Sequence, residues 1–213
     1  MKRTSILITL LLITHFVKAQ TTHRLAFASE GNAVELAVAN TASIEATDVT
    51  VRVQSAPDWL KFISREQSIN SIATGEEQSA MFSFSVDKSA PVGAGQMITF
   101  AITNSTGQSW MKDIRIVVAA PETFELFQNF PNPFNPSTTI TYQLPTASRV
   151  TLKIFNLLGQ EVATLVSAEQ SAGHHQSVWD ATRESSGLYV YQIEAKEMEG
   201  RGSVVRKTMV LLK

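Results

Sequence analysis

Hydrophobic side chains recur at every second position through most of this chain. That period suits a half-buried β-strand and not an amphipathic helix. "TDVTVRVQ" sets Val49, Val51 and Val53 on one face against Asp48, Thr50 and Arg52 on the other. "NAVELAVAN" does the same with Val34, Leu36 and Val38, and "SAMFSFSVD" with Ala80, Phe82, Phe84 and Val86. Ile98, Phe100 and Ile102 alternate in "QMITFAITN", and Ile114, Ile116 and Val118 in "KDIRIVV". Turn-forming clusters such as "SAPD", "ATGEE", "SAPVGAG" and "NSTGQ" divide these runs. From Arg24 to Ala119 the pattern predicts roughly seven short strands in an immunoglobulin-like antiparallel β-sandwich. The chain has no cysteine, so no disulfide pins the sheets, and the core rests on Phe, Val, Ile and Trp59. Thiolate metal sites and a cysteine nucleophile are excluded on the same ground.

A second β-rich stretch comes after it. "STTITYQLP" alternates Thr138, Ile140 and Tyr142 against Thr139, Thr141 and Gln143. "RVTLKIFNLLGQEVATLV" reads as two strands joined at "NLLGQE", where Gly159 supplies the positive φ of a hairpin turn. "HHQSVWDA", "GLYVYQIEA" and "SVVRKTMVLLK" complete it, with Gly187 placed where the chain must turn before Tyr189 and Tyr191.

Between the two stretches lies "AAPETFELFQNFPNPFNPS". Proline fixes φ and cannot donate a hydrogen bond, and the residue before each proline is pushed out of the helical region. The segment is therefore an extended connector and neither a helix nor a central strand. It is too apolar for a free linker. Phe124, Leu126, Phe127, Phe130 and Phe134 are expected to pack in part against the second β-rich stretch, making this the first edge of the second domain.

The first twenty residues carry Lys2, Arg3 and Lys18 and no acid. Positive residues, an apolar run from Ile6 to Ile13, then Val17 and Ala19 form the pattern of a secretory signal peptide cut between Ala19 and Gln20. Thr14, His15 and Lys18 interrupt the run before it reaches the ~20 apolar residues that a spanning helix needs. The rest of the chain holds 15 basic and 19 acidic residues, which gives no basic field for nucleic acid.

The second half resembles a known family. "LFQNFPNPFNPSTTITYQLPTASRVTLKIFNLLGQEVATLV", "GLYVYQIEA" and the closing "RKTMVLLK" look like the type A C-terminal sorting domain of the type IX secretion system, the outer-membrane exporter of Bacteroidetes and their relatives. The likeness covers about residues 122–213. Pro131, Asn132, Pro133, Phe134, Asn135 and Pro136 match the family's opening box, Gly159 its hairpin glycine, and Gly187 and Tyr189 its Gly-x-Tyr element. Lys207 and the strand beyond it match the terminal segment needed for export. The resemblance implies the secretion translocon and its C-terminal peptidase as partners. It also implies passage through the periplasm and a secreted or surface-attached product. The expected layout is all-β: a signal peptide at 1–19, a cargo sandwich at 20–120, a proline-rich lead-in at 121–136 and an immunoglobulin-like sorting sandwich at 137–213.

The cargo stretch lacks catalytic signatures. It holds no Gly-x-Ser-x-Gly elbow, phosphate loop or calcium loop. Its carboxylates fall at strand ends and on outward faces, whereas a glycosidase needs two facing across a cleft. His174 and His175, adjacent on one strand, point to opposite faces and make a poor chelate. Trp59 and Trp110 either plug the sandwich or form an exposed platform for sugar or peptide. "ATDVTVRVQSAPDWLKF" and the run after it resemble the immunoglobulin-like accessory modules of bacterial surface proteins and glycosidases. The sequence thus reads as a non-catalytic exported protein without cofactor or metal. Its cargo is structural or adhesive and takes a glycan, a peptide or a surface protein as ligand. The alternative is an accessory module or remnant of a larger exported hydrolase.

Overall fold

Alternating side chains and short turns build two pairs of β-sheets. The computed structural model describes residues 5–10, 22–197, 200 and 202–213. The chain divides into two compact units, the first ending at Ala119 and the second running from Ala120 to Lys213.

The first unit contains β1 (Ser5–Leu10), β2 (Thr22–Leu25), β3 (Asn32–Ala39), β4 (Ala46–Ser55), β5 (Leu60–Phe62), β6 (Glu66–Ile72), β7 (Glu77–Val86), β8 (Gly95–Thr103) and β9 (Ser109–Val118). One sheet has the order β1-β3-β7-β5 and the other β2-β9-β8-β4-β6. The alternation decides which side chains enter. Val49, Val51 and Val53 are buried while Asp48 and Arg52 face solvent. Phe82 from one sheet meets Phe100 from the other with centroids 5.1 Å apart, which closes the sandwich without a disulfide. Trp59 and Trp110 are half-buried and pack against this core. β1 pairs in parallel with the edge of β3, from Ser5 opposite Ala33 to Leu10 opposite Val38. These six residues lie in the stretch that the sequence assigns to the leader. The cleavage position, Ala19 and Gln20, lies outside the described residues.

The second unit contains β10 (Glu125–Leu126), β11 (Ser137–Leu144), β12 (Ser148–Phe155), β13 (Glu161–Gln170), β14 (Gly173–Asp180), β15 (Gly187–Glu197) and β16 (Gly202–Leu211). Its sheets have the orders β10-β11-β14 and β13-β12-β15-β16. Thr138, Ile140, Tyr142 and Leu144 form the inner row of β11, and Val150, Leu152 and Ile154 that of β12. Tyr191 and Ile193 of β15 complete the interior with Met209 and Leu211 of β16. The all-β fold expected from the alternation is the fold observed.

The same five-residue turn closes one hairpin in each unit. Asn104–Gln108 joins β8 to β9, and Asn156–Gln160 joins β12 to β13. In both, the asparagine Nδ2 donates to the glutamine Oε1 at 2.9 Å, and the glutamine N–H returns a bond to the asparagine Oδ1 at 3.0 Å. In both, the glycine N–H donates to the asparagine carbonyl at 3.0 Å. The glycines need φ of 79° and 76°, a region that a Cβ disfavours.

Candidate functional site

The proline box is folded onto the last strand. The prolines of "FPNPFNP" cannot donate, so its other residues make the bonds. All three peptide bonds preceding these prolines are cis. The Asn132 side-chain carbonyl accepts the Val210 N–H at 3.0 Å. Phe134 donates its backbone N–H to the Val210 carbonyl and accepts from the Leu212 N–H, each at 3.0 Å. Gln128 Nε2 adds a bond to the Thr208 carbonyl at 2.8 Å. Thr208, Val210 and Leu212 alternate along β16 and its continuation, so their polar groups share one edge of the strand. β16 is the outermost strand of its sheet, and the box covers this end of it. The backbone groups capped here are those that an open edge would offer to another chain.

Aromatic packing anchors the clasp from inside. Phe134 is 2% exposed and lies 5.5 Å from Trp179, whose other neighbour is Tyr189 at 5.1 Å, edge to face. The Tyr189 hydroxyl donates to the Ser185 carbonyl at 2.7 Å, bridging the start of β15 at Gly187. At the chain end, Lys213 donates its N–H to Ser186 Oγ and its Nζ to the carbonyls of Thr182 and Glu184.

A second layer holds the lead-in. The Tyr191 hydroxyl accepts the Asn129 N–H at 3.0 Å and donates to the Phe127 carbonyl at 2.9 Å. Asn129 is buried, and its Nδ2 donates to Thr138 Oγ1 and to the Pro131 carbonyl. Thr138 Oγ1 donates to that carbonyl in turn. Each polar group in this buried layer thus has a partner, the condition under which such groups are tolerated.

Of the residues singled out in the sequence, Asn132, Phe134 and Tyr189 converge with the terminal strand, while Pro131 turns its carbonyl to Asn129 and Thr138. Pro133, Asn135 and Pro136 are exposed within the box. Gly187 opens β15. Lys207 is half-buried on β16, opposite Tyr191. Gly159 lies apart, in its hairpin turn. The sequence reading gave no role at this site to Gln128, Asn129, Trp179, Tyr191 or the Lys213 side chain. A signal for Tyr191 existed: Tyr189 and Tyr191, two apart on a strand, both face the core, and a buried tyrosine hydroxyl requires a partner. His174 and His175 do face different neighbours, Phe127 at 6.0 Å and Tyr142 at 5.5 Å.

The chain's three tyrosines, Tyr142, Tyr189 and Tyr191, all belong to the second unit, and burial raises the pKa of each. A phenol whose folded pKa exceeds its unfolded value of about 10 stabilises the fold below that pH. The contribution disappears as pH rises through the folded value. Alkaline titration is therefore expected to unfold this unit together with the appearance of tyrosinate absorbance. Normal exposed-phenol titration in the intact fold would contradict it.

The first unit carries a cleft of about 520 Å³ at one end of its sandwich. Buried Val38, Ile72 and Ile102 form its apolar floor, and Ile44, Gln108 and Trp110 its rim. The volume falls in the range of small-ligand sites. Of the unit's described carboxylates, Glu45 reaches this cleft; nearly all are exposed, Glu35 alone being half-buried. Among the described residues, no group of His, Cys, Asp and Glu is arranged to hold a metal ion.

Residues 128–210 match the family described as the secretion system C-terminal sorting domain. This span runs from Gln128 through the box and all the strands after it, so the second unit carries a sorting domain. The family itself is non-catalytic. It marks export through the periplasm to the cell surface or the medium. Among curated proteins, no relative matches the chain. Solved structures to which the chain is similar include dimeric latent PorU from Porphyromonas gingivalis, at 14% identity and TM-score 0.36. That match covers 88% of this chain and 19% of PorU, so the chain spans about a fifth of that protein's length. The CupB2 chaperone of Pseudomonas aeruginosa is similar at 10% identity and TM-score 0.30, over 90% of this chain and 98% of the chaperone. The calcium-binding domain CBD12 of CALX1.1 is similar at 11% identity and TM-score 0.37, over 84% and 80% of the two chains.

Proposed function

We propose that this protein is a non-catalytic cargo of the type IX secretion system. The second unit serves as a removable sorting tag, and the first as a structural or adhesive module. The carrying observation is the clasp: the box that opens the sorting domain holds the strand that closes it, through Asn132, Phe134 and Val210. In this reading the translocon handles the tag as one folded body. The dedicated peptidase cuts in the segment before it, between Ala119 and Phe124, after signal peptidase has cut between Ala19 and Gln20. The cleft beside Trp110 supports a ligand-binding role for the module. Its floor is apolar and its rim uncharged apart from Glu45, which suits an uncharged glycan or peptide better than an ionic ligand. The runner-up is an accessory module separated from a larger exported hydrolase.

Intact-mass analysis of the protein recovered from the surface and medium of its host tests this. The recovered product is expected to begin at Gln20 and to lack the mass of the second unit. A chain ending before Glu122 is expected to stay in the periplasm. Equal export of both forms, with the full chain keeping its second unit, would overturn the sorting role.

A further inference from the structure

The repeated Asn-x-x-Gly-Gln turn provides a comparison inside one molecule. Its backbone and its asparagine–glutamine bonds are the same in both units, yet the two tip residues differ. In the first unit they are Ser105 and Thr106, ordinary polar turn residues. In the second they are Leu157 and Leu158, exposed at 68% and 83%. The Ser-Thr pair shows that the turn does not require leucine. Neither leucine is among the side chains packed on the core of the second unit. Two adjacent leucines in water add nothing to the fold and carry an aggregation risk.

The tip is also held rigid. Asn156 Oδ1 accepts the N–H of Leu158 and of Gln160, both at 3.0 Å, so the backbone that displays the leucines has little freedom left to lose on binding. The charged side chains flanking the turn, Lys153 and Glu161, pair with each other at 2.7 Å. Lys153, the cation that flanks the turn, is thus already paired and is not held free to draw an anionic lipid headgroup.

We propose that Leu157 and Leu158 form a preorganised anchor that seats in an uncharged apolar pocket on a protein of the export machinery. The inference rests on the sorting role assigned above and gives that role a contact surface. It separates two jobs within the second unit: the box and terminal strand close the fold, and the hairpin tip is read by the partner.

The test replaces the tip with the sequence the first unit uses, Leu157→Ser with Leu158→Thr, in the full chain. The turn bonds are kept, so the melting temperature is expected to stay within a few degrees of the parent. Export in the native host is expected to fall about tenfold or more, with the precursor collecting in the periplasm, the scale of loss when two buried apolar anchors are removed. The parent is expected to remain monomeric and not to co-float with vesicles of host outer-membrane lipid. Undiminished export of the double variant would overturn the anchor. So would vesicle binding or self-association by the parent that the double variant loses, because the leucines would then serve a membrane or a second copy. A chain ending at Ala119 run in parallel separates the two ideas. If it too is exported, the sorting role has failed. If it is retained while the double variant is exported, the anchor alone has failed.

Discussion

Replacing Phe134 with alanine is expected to destabilise the second unit by about 3–5 kcal/mol, the cost of truncating a fully buried phenylalanine. In a domain of this size that corresponds to a fall on the order of 20 °C in melting temperature. The ring is 2% exposed and packs against Trp179, so its loss leaves a void beside the second buried aromatic ring. The backbone bonds from Phe134 to Val210 and Leu212 would then have to hold without the side chain that positions them. Hydrogen exchange at the Val210 and Leu212 amides should accelerate well before the rest of β16. Phe130→Ala is the matched control. That ring is 80% exposed in the same motif, so its removal is expected to change stability by no more than about 0.5 kcal/mol. Equal effects at the two positions would mean that the box is not held by the packing described.

Tyr191→Phe is expected to cost about 3 kcal/mol although it removes a single oxygen. The hydroxyl serves the Asn129 N–H and the Phe127 carbonyl together, and Asn129 is buried. Unmaking a bond to a buried group costs more than the net value of an average hydrogen bond, because water cannot replace the partner. Tyr189→Phe loses one bond, to the carbonyl of exposed Ser185. Water can reach that carbonyl, and the expected cost is about 1 kcal/mol. Chemical denaturation of both variants tests the difference. A Tyr191→Phe protein as stable as Tyr189→Phe would show that the lead-in finds other partners.

Much of this fold could be read directly. The inner rows of β4, β7, β8, β9 and β11 are the rows that the alternation picks out, because each faces a dry core on one side and water on the other. In β13 the alternation fades. Val162, Ala163, Leu165 and Val166 are all half-buried, and its pairing with β12 shifts register at Leu152/Lys153 and Ile154/Phe155. An edge strand with such shifts keeps no clean period. β6, with only Ile69 and Ile72 apolar among its seven residues, likewise offered little apolar signal. At the site, the sequence identified the box and its neighbours through motif and proline chemistry. It could not show that Asn132 reaches Val210, because no local period encodes a bond between residues 78 apart. The glutamine, asparagine and tyrosine that complete the layer are unremarkable in isolation.

That span of 78 residues also sets an order of events. The box emerges from the ribosome well before its acceptor does, and until Thr208, Val210 and Leu212 exist its asparagine and backbone donor have nothing to hold. Closing so long a loop is slow and comes late relative to local hairpins. The same bonds make the lead-in sensitive to whether the far end has been made. A translation product broken off a few residues early would fold its hairpins and still leave the box undone, with bare strand edge and an unburied Phe134. The opening segment and the last strand of the tag thus stand or fall together, although most of the unit's sequence lies between them.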